Sequence, residues 1–475
     1  MSKEKYFFIG HVCVPLVFLY TGSVDQRYPS AVKIKRQSCF YSLSSWPEIA
    51  YNFPIISERI CCCFRKFTHK THSFHFTRTI LEEEKVNFLF DLIASQPNAD
   101  GEFHGGGKYA KKVFLSLCSF KKKDFSLFAI YSSAQKLDAE IEKAIAQFDV
   151  QLIDIEVDTI PVVIADYGIQ RFYSALPFGL IRHGLYEAFQ SDCQIYCTVH
   201  GLRNLEIRPR MSDLHYHSAK DIKGLFRTFF KGLLDDHVVK RDFLRCRKIF
   251  GNCTIFTVSD HTKFSIFTYF PEIKRDIEVF YSPDVTEFEG LGQDEEVTAF
   301  HQTNYFLLVS GNRWLKNNMR SVLALDSLFT DNPEITQHVV ITGVTHPEVF
   351  LHKIRNKDRF TFYKYVSESF LHKLYKNAYA FIYMTLNEGF GYPPLDAMKN
   401  GTPVLTSPVT SIPEICGDAV LYANPYSIEE IKNRILQLCD QAVYMKLTVS
   451  SIQRYKQVSE RQKRDLHRML EIMIN

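Results

Sequence analysis

The stretch LNEGFGYPPLDAMKNGTPVLTS, from Leu386 to Ser407, decides how this sequence is interpreted. Glu388 follows an apolar run, and Gly389 and Gly391 provide a loop where backbone can approach a ligand closely. The proline pair that follows suits the first turn of a helix. Unsatisfied backbone N–H groups and the positive end of that helix would face an anion, so the stretch predicts a phosphate-binding corner.

Two carboxylates flank this corner, since Asp396 lies eight residues after Glu388. We expect both to face one polar ligand, with Glu388 accepting hydrogen bonds from sugar hydroxyls. Taken alone, Asp396 would be explained by a favourable interaction with the helix dipole. The pair together with the glycines favours a binding site.

Short apolar runs alternate with helical patterns on the N-terminal side of this stretch. The later runs are NYFLLVSG, HVVITG, RFTFYKYV and AYAFIYM, and the earlier runs are VNFLFDLI, FSLFAIY, TIPVVIADY, QIYCTVHG and TIFTVSD. Runs that are apolar throughout are typical of parallel strands covered by helices on both faces. The sequence therefore predicts an α/β protein with two doubly wound, Rossmann-like domains that face each other across a cleft.

The length of 475 residues predicts more than one domain, because it exceeds what one hydrophobic core usually supports. A charged, turn-rich segment from Pro283 to Glu296 reads as a linker. We expect an N-terminal extension at 1–83, a first Rossmann-like domain at 84–285 that holds the acceptor, and a second at 286–475 that holds the donor and ends in a terminal helix.

The first 83 residues do not follow the α/β pattern, and the sequence assigns them no role. Their CCCFRKFTHKTHSFHF segment matches no zinc-ligand spacing, so a metal site is not favoured. The apolar run from Tyr6 to Tyr20 is interrupted by His11 and Pro15 and is shorter than the roughly 20 residues that a membrane helix needs. A signal or anchor segment is the less favoured interpretation of this run.

Composition excludes several classes of protein. Hydrophobic residues make up 46% and charged residues 23%, which is typical of a globular protein with large cores. The formal net charge of +4 creates no field of the kind that nucleic-acid binding needs, so we expect no nucleic-acid partner. The 12 cysteines are scattered, without the dense spacing of a disulfide scaffold, which favours a cytoplasmic protein.

The stretch around Glu388 resembles the C-terminal domain of glycosyltransferase family 4, also called group 1, whose motif is E-G-F-G-x-P-x-x-E-A-M. The matching residues are Glu388, Gly389, Phe390, Gly391, Pro393, Ala397, Met398, Gly401, Pro403, Val404 and SIPEICGDA from Ser411 to Ala419. The resemblance runs from Val86 to the C-terminus. It implies the two-domain GT-B fold and donor binding at Gly389, Phe390 and Gly391. It also implies that Glu388 contacts the transferred sugar and that Asp396 replaces a glutamate that grips the nucleotide ribose.

Four further segments are similar to the family. SGNRWLKNN, from Ser310 to Asn318, looks like the loop whose cations bind the donor pyrophosphate, which makes Arg313 and Lys316 the candidates. Such cations stabilise the charge that develops on a departing nucleoside diphosphate, so we expect neither a metal nor a cofactor.

In the N-terminal half, Gly105, Gly106 and Gly107 are similar to the family's glycine-rich loop after the first strand. His200, in CTVHGLR, resembles a strand-end histidine that approaches the donor sugar. A turn with Ser259, in TVSDHTKFSI, also resembles the family and reads as mainly structural.

The resemblance implies a retaining glycosyltransferase that moves a hexose from a nucleotide sugar to a glycan or lipid-linked acceptor. Surface polysaccharide synthesis is an expectation from the family alone. A front-face substitution fits, because no second carboxylate is evident for the opposite sugar face. We expect a cytoplasmic enzyme, and peripheral association with the inner face of the membrane stays open.

Three alternatives remain at this point. A glycoside hydrolase could use Glu388 and Asp396 as its two carboxyl groups, but that leaves Arg313 and Lys316 without a role. A catalytically silent GT-B module could serve as a binding subunit. A nucleotide-sugar epimerase shares the architecture but not the E-G-F-G stretch.

Overall fold

The computed structural model describes residues 7–9, 12–14, 86–97, 105–120, 125–207, 216, 235–285 and 304–475. The chain divides into the units Met1–Ile80 and Leu81–Asn475. In the first unit, the described residues form an antiparallel pair of strands, β1 (Phe7–Ile9) and β2 (Val12–Val14). The cysteine- and histidine-rich segment of the sequence lies outside the described residues.

Seven parallel strands form the N-terminal sheet within the described part of the second unit, in the order β5-β4-β3-β6-β7-β8-β9. They are β3 (Val86–Asp91), β4 (Phe125–Tyr131), β5 (Gln151–Asp154), β6 (Arg171–Ser174), β7 (Gln194–Val199), β8 (Thr254–Thr257) and β9 (Glu278–Val279). The helices are α1 (Gly105–Phe120), α2 (Ala139–Phe148), α3 (Ile160–Asp166), α4 (Leu185–Ala188), α5 (Arg203–Glu206), α6 (Asp235–Asn252) and α7 (Asp260–Tyr269). The strand order reverses beside β3, as in doubly wound sheets.

Six parallel strands form the C-terminal sheet in residues 304–475, in the order β12-β11-β10-β13-β14-β15. They are β10 (Tyr305–Leu308), β11 (His338–Ile341), β12 (Phe360–Phe362), β13 (Ala380–Tyr383), β14 (Val404–Thr406) and β15 (Leu421–Tyr422). The helices are α8 (Asn318–Asp331), α9 (Glu348–Leu351), α10 (Glu368–Asn377), α11 (Tyr392–Lys399), α12 (Ile412–Cys416), α13 (Ile428–Leu438) and α14 (Gln441–Ile474). The predicted class of two Rossmann-like α/β domains is confirmed.

The terminal helix α14 connects the two sheets. It contains 34 residues, which corresponds to about 50 Å at 1.5 Å per residue. Near its start, Tyr444 stacks on Tyr379 beside the C-terminal sheet, and near its end the Met473 carbonyl accepts a 2.9 Å hydrogen bond from Arg171 of β6. Although α14 is long, no helix among the described residues is apolar enough to cross a membrane.

Two local predictions are wrong. The run TIPVVIADY, predicted as a strand, forms helix α3, whose first turn contains Pro161. A short apolar run does not distinguish a buried strand from a buried helix, and proline suits a first helical turn. Gly105 to Gly107 were expected in a loop, but they form the first turn of α1. The strands β5, β6, β9, β14 and β15 were not predicted.

Candidate active site

A cavity of about 850 Å³ lies between the carboxyl ends of the two sheets, where ligands bind in doubly wound folds. The N-terminal half contributes Gly105, Gly106 and His200 to its lining, and the C-terminal half contributes Arg313, Lys316, Glu388, Gly389, Phe390 and Gly391. Cationic side chains outnumber carboxylates among its lining residues. The structure therefore brings together most of the predicted site in a setting that favours an anionic ligand.

All hydrogen bonds that the described residues donate to the Glu388 carboxylate go to one of its two oxygens. Its Oε1 accepts hydrogen bonds from the Tyr383 hydroxyl at 2.6 Å, from the Thr385 hydroxyl at 2.8 Å and from the Lys316 ammonium. The described residues donate no hydrogen bond to Oε2. This arrangement fixes the carboxylate and leaves an acceptor for a ligand hydroxyl.

The Lys316–Glu388 pair is nearly buried, with side chains 8% and 13% exposed. Burial alone would raise the pKa of Glu388, but the charge of Lys316 and the three hydrogen bonds outweigh it and hold the pKa below its ordinary value. Burial lowers the pKa of Lys316, and its partner Glu388 opposes that shift. The carboxylate is therefore ionised at neutral pH.

The loop after Glu388 lines the cavity with Gly389, Phe390 and Gly391. Its carbonyls are occupied, because Ser411 donates to the Phe390 oxygen at 2.9 Å and Ser259 donates to the Gly389 oxygen at 2.8 Å. The N–H groups of Gly389, Phe390 and Gly391 donate to no acceptor among the described residues. Gly391 caps α11 with a φ of 114°, a conformation that suits glycine. Free N–H groups at a helix start are the elements of an anion site.

The two halves of the cavity touch at His200. A Cβ added to Gly389 would lie 2.8 Å from the carbonyl carbon of His200 and would overlap its oxygen. The His200 ring packs edge-on against Tyr109 with 4.6 Å between ring centroids, and its Nε2 lies 3.1 Å from the Ala175 carbonyl oxygen. Glycine at 389 thus permits the strand-end histidine to reach the Glu388 loop.

Asp396 is not among the residues that line this cavity. Its carboxyl is half-buried, and burial followed by the neighbouring Asp284 raises its pKa to about 7. The expectation that Glu388 and Asp396 both face one ligand is therefore not met, because α11 directs Asp396 toward Asp284 and Lys399. Its contact with a ribose stays a prediction.

Two other predicted site residues, Phe390 and Gly107, are largely buried in the packing of the protein. The Phe390 ring is 4% exposed and packs between Tyr281 and Tyr392, so it offers a ligand mainly its backbone. Gly107 is buried in α1 and, unlike Gly105 and Gly106, does not line the cavity.

The sequence did not indicate a basic group contributed by the N-terminal half. Arg203 of α5 and Arg241, Asp242 and Arg245 of α6 line the same cavity. Burial lowers the pKa of Arg203, Arg313 adds to that shift and Glu388 opposes it, so Arg203 lies near both. The position of Arg203, three residues after the strand-end His200, was the only signal that could have identified it.

Comparison with known proteins agrees with this geometry. Residues 293–458 match the family described as Glycosyl transferases group 1. The O-antigen chain mannosyltransferase RfbU of Salmonella typhimurium is 28% identical over 237 residues, which cover 49% of this chain and 60% of the relative. The O-antigen chain mannosyltransferase B of Escherichia coli is 48% identical over 73 residues, which cover 15% of this chain and 19% of the relative. The alignments therefore span less than two thirds of these relatives.

The fold is also found in solved structures. HepE of Anabaena, in complex with UDP and glucose, superposes with a TM-score of 0.53 at 12% identity, covering 82% of this chain and 99% of HepE. At this identity the similarity shows the fold alone, which is GT-B. The family match includes Arg313, Lys316 and the whole Glu388 loop. Residues 293–458 of this chain are therefore similar to the group 1 glycosyltransferases.

Proposed function

We propose that this protein is a retaining glycosyltransferase that transfers a hexose from a nucleotide sugar to a glycan or lipid-linked acceptor in polysaccharide assembly. The observation that carries the proposal is the arrangement around Glu388. Its carboxylate is fixed at one oxygen, and its other oxygen and the three neighbouring backbone N–H groups have no hydrogen-bond partner among the described residues. Mannose is the first sugar to test, because two relatives are named O-antigen chain mannosyltransferases.

The donor diphosphate would bind at the N–H groups of Gly389, Phe390 and Gly391. Arg313 and Arg203 would approach it from the two sides of the cleft, which places positive charge where the leaving group becomes more negative. Lys316 is already paired with Glu388, so its charge acts mainly by keeping that carboxylate ionised and in place. The expectation that Lys316, together with Arg313, binds the donor pyrophosphate stays a prediction.

The sugar would lie against Glu388, whose Oε2 accepts hydrogen bonds from its hydroxyl groups. In a front-face substitution, the bond from the anomeric carbon to the phosphate oxygen breaks and its electron pair stays on the phosphate. The acceptor oxygen bonds to the anomeric carbon on the same face, and its proton passes to the departing phosphate. Closure of the cleft limits the competing attack by water.

The position of Asp242 bears on this mechanism. It is the one other carboxylate among the described residues that line the cavity. Its oxygens accept from Asn204 at 2.8 Å and pair with Arg241 at 3.3 Å and Arg245 at 3.7 Å. A carboxylate held by these groups is a poor nucleophile, which favours front-face substitution over a double displacement.

The hydrolase alternative loses support. It needs two carboxyl groups about 5–9 Å apart across one glycosidic bond. Asp396, the partner assigned to Glu388 in that alternative, does not line the cavity.

The test begins with thermal shifts for GDP-mannose, UDP-glucose and ADP-glucose, because a bound donor stabilises the native state. Release of nucleoside diphosphate from the stabilising donor is then measured for the wild type, for Glu388→Gln and for Glu348→Gln, a control on an exposed glutamate. We expect Glu388→Gln to lower the rate by roughly a hundredfold and the control to leave it unchanged. Equal rates in all three proteins would refute the assignment, and the anomeric configuration of the product by NMR tests retention.

A further inference from the structure

A second cavity, of about 480 Å³, lies directly beside the first. Six residues line both cavities: Arg203, Asn204, Arg241, Asp242, Arg313 and Leu315. The two cavities are therefore adjacent. The loop at Gly389 to Gly391 lines the first cavity and is absent from the lining of the second, so the two offer different chemistry.

Trp314 is the distinctive residue of this second cavity. Its indole is half-buried and lines the cavity. Among the residues that the structure describes, none stacks on the indole ring and none accepts a hydrogen bond from its Nε1. A large aromatic face with no partner, at the wall of a cavity, is a common feature of a ligand-binding site.

The backbone holds Trp314 in a fixed relation to the Glu388 site. Trp314 begins a short 3-10 helix that ends at Lys316, the partner of Glu388. The next residue, Leu315, accepts a hydrogen bond from the Leu386 backbone N–H at 2.8 Å. The indole and the carboxylate are thus placed by the same pair of segments.

The polar groups around the indole supply both donors and acceptors. Asp242 offers carboxylate oxygens, Arg203 and Arg241 offer guanidinium donors, and Asn204 and Asn312 have amide side chains at the cavity wall. A hexopyranose has an apolar face of C–H bonds, which packs on an aromatic ring, and a rim of hydroxyls that donate and accept. The lining matches these two features.

We propose that this second cavity binds a hexopyranose unit of the acceptor glycan, with its apolar face on Trp314 and its hydroxyls on Asn204 and Asp242. The assignment of this sugar as an acceptor rests on the proposed function, whereas sugar binding at Trp314 does not. A nucleobase could also stack on an indole. Competition by GDP and UDP distinguishes that occupant from a sugar.

The sequence makes a direct binding test possible, because Trp46 and Trp314 are its two tryptophans. In a Trp46→Phe protein, Trp314 alone reports on the cavity by its fluorescence. The probes are α-linked mannotriose, lactose and maltotriose, titrated to roughly 20 mM to detect weak binding. We expect a saturable change with at least one of them, and we expect the nucleoside diphosphates GDP and UDP not to compete with it. No change with any probe, or competition by either nucleotide, would overturn the proposal.

Kinetics supply the second measurement. Trp314→Ala should raise the KM for the acceptor about tenfold or more, while donor KM and donor hydrolysis without acceptor stay near wild type. Trp314→Phe keeps an aromatic face and should recover most of the acceptor affinity. The sugar-dependent change in fluorescence should be absent from this variant, because the reporting indole is gone. An unchanged acceptor KM in Trp314→Ala would contradict the inference. If no nucleotide sugar is turned over, the proposed function fails while the fluorescence result still decides the sugar site.

Discussion

The carbonyl oxygen of His200 occupies the space that a side chain at Gly389 would need. The contact joins the end of β7 in one half of the protein to the loop after Glu388 in the other. Gly201 adds to it, since its own Cβ would lie 3.4 Å from the Cα of Gly389. Two backbone segments therefore meet here with no room for a methyl group, and the width of the cleft depends on it.

Gly389→Ala should force the His200 loop away from the Glu388 loop. Overpacking at such a contact costs about 1–3 kcal/mol and shifts the backbone. We expect a lower melting temperature and a fall in kcat/KM for the nucleotide sugar, because the two halves no longer close on the donor.

The matched control is Gly251→Ala. Nothing lies within 4 Å of a Cβ at Gly251, near the end of α6. This change should leave activity unaltered and stability equal or slightly higher, since alanine favours helix. Wild-type kcat/KM in Gly389→Ala, or equal loss in both variants, would contradict the role of the contact.

Lys316→Met should be among the more damaging substitutions in the C-terminal half. It leaves Glu388 buried without its cation, and breaking such a pair costs about 3–5 kcal/mol. Glu388→Gln on the same background removes the uncompensated charge, so the double variant should unfold at a higher denaturant concentration than Lys316→Met alone. A double variant less stable than the single one would show that the pair is not coupled as described.

Asp396 should make the stability of the protein depend on pH. Burial and the neighbouring Asp284 raise its pKa from 3.8 to about 7, while Lys399 and Lys108 oppose the shift and Glu368 adds to it. The native state therefore holds this proton more tightly than the unfolded chain, and the contribution to stability is lost as pH rises from about 4 to about 7. Asp396→Asn should raise the melting temperature relative to wild type. This difference should grow as the pH rises from about 4 to about 7 and stay constant at higher pH.

Asp331→Asn is the opposite control for this measurement. A hydrogen bond from Lys432 lowers the pKa of Asp331, so its stabilising effect is present near neutral pH and lost in acid. Its substitution should lower the melting temperature, more at pH 7 than at pH 3. A pH-independent difference for Asp396→Asn would contradict the assigned shift.

Arg203→Ala should weaken the donor site from the N-terminal side of the cleft. Loss of one charge-assisted contact to a diphosphate corresponds to about 1.5–3 kcal/mol, or roughly a tenfold to hundredfold lower kcat/KM. Arg247 of α6 forms an exposed ion pair with Glu272, and Arg247→Ala serves as the control, with activity near wild type. Equal activity of the two variants would remove Arg203 from the site.

The sequence revealed some parts of this site because they are local. Glu388, the glycines and the helix start are consecutive, so their backbone chemistry can be read directly from the motif. Arg203 and Asp242 were missed because only the folding of α5 and α6 brings them to the cavity. The direction of the Asp396 side chain depends on Asp284, which lies more than a hundred residues earlier. Apolar runs predicted both sheets, and failed at TIPVVIADY because burial alone does not specify a strand.

The most direct test is a crystal structure with the nucleoside diphosphate of the donor chosen by thermal shift. We expect the phosphates to accept hydrogen bonds from the N–H groups of Gly389 to Gly391, with Arg313 beside them and Glu388 Oε2 facing the sugar position. A diphosphate bound elsewhere, with this loop unoccupied, would contradict it.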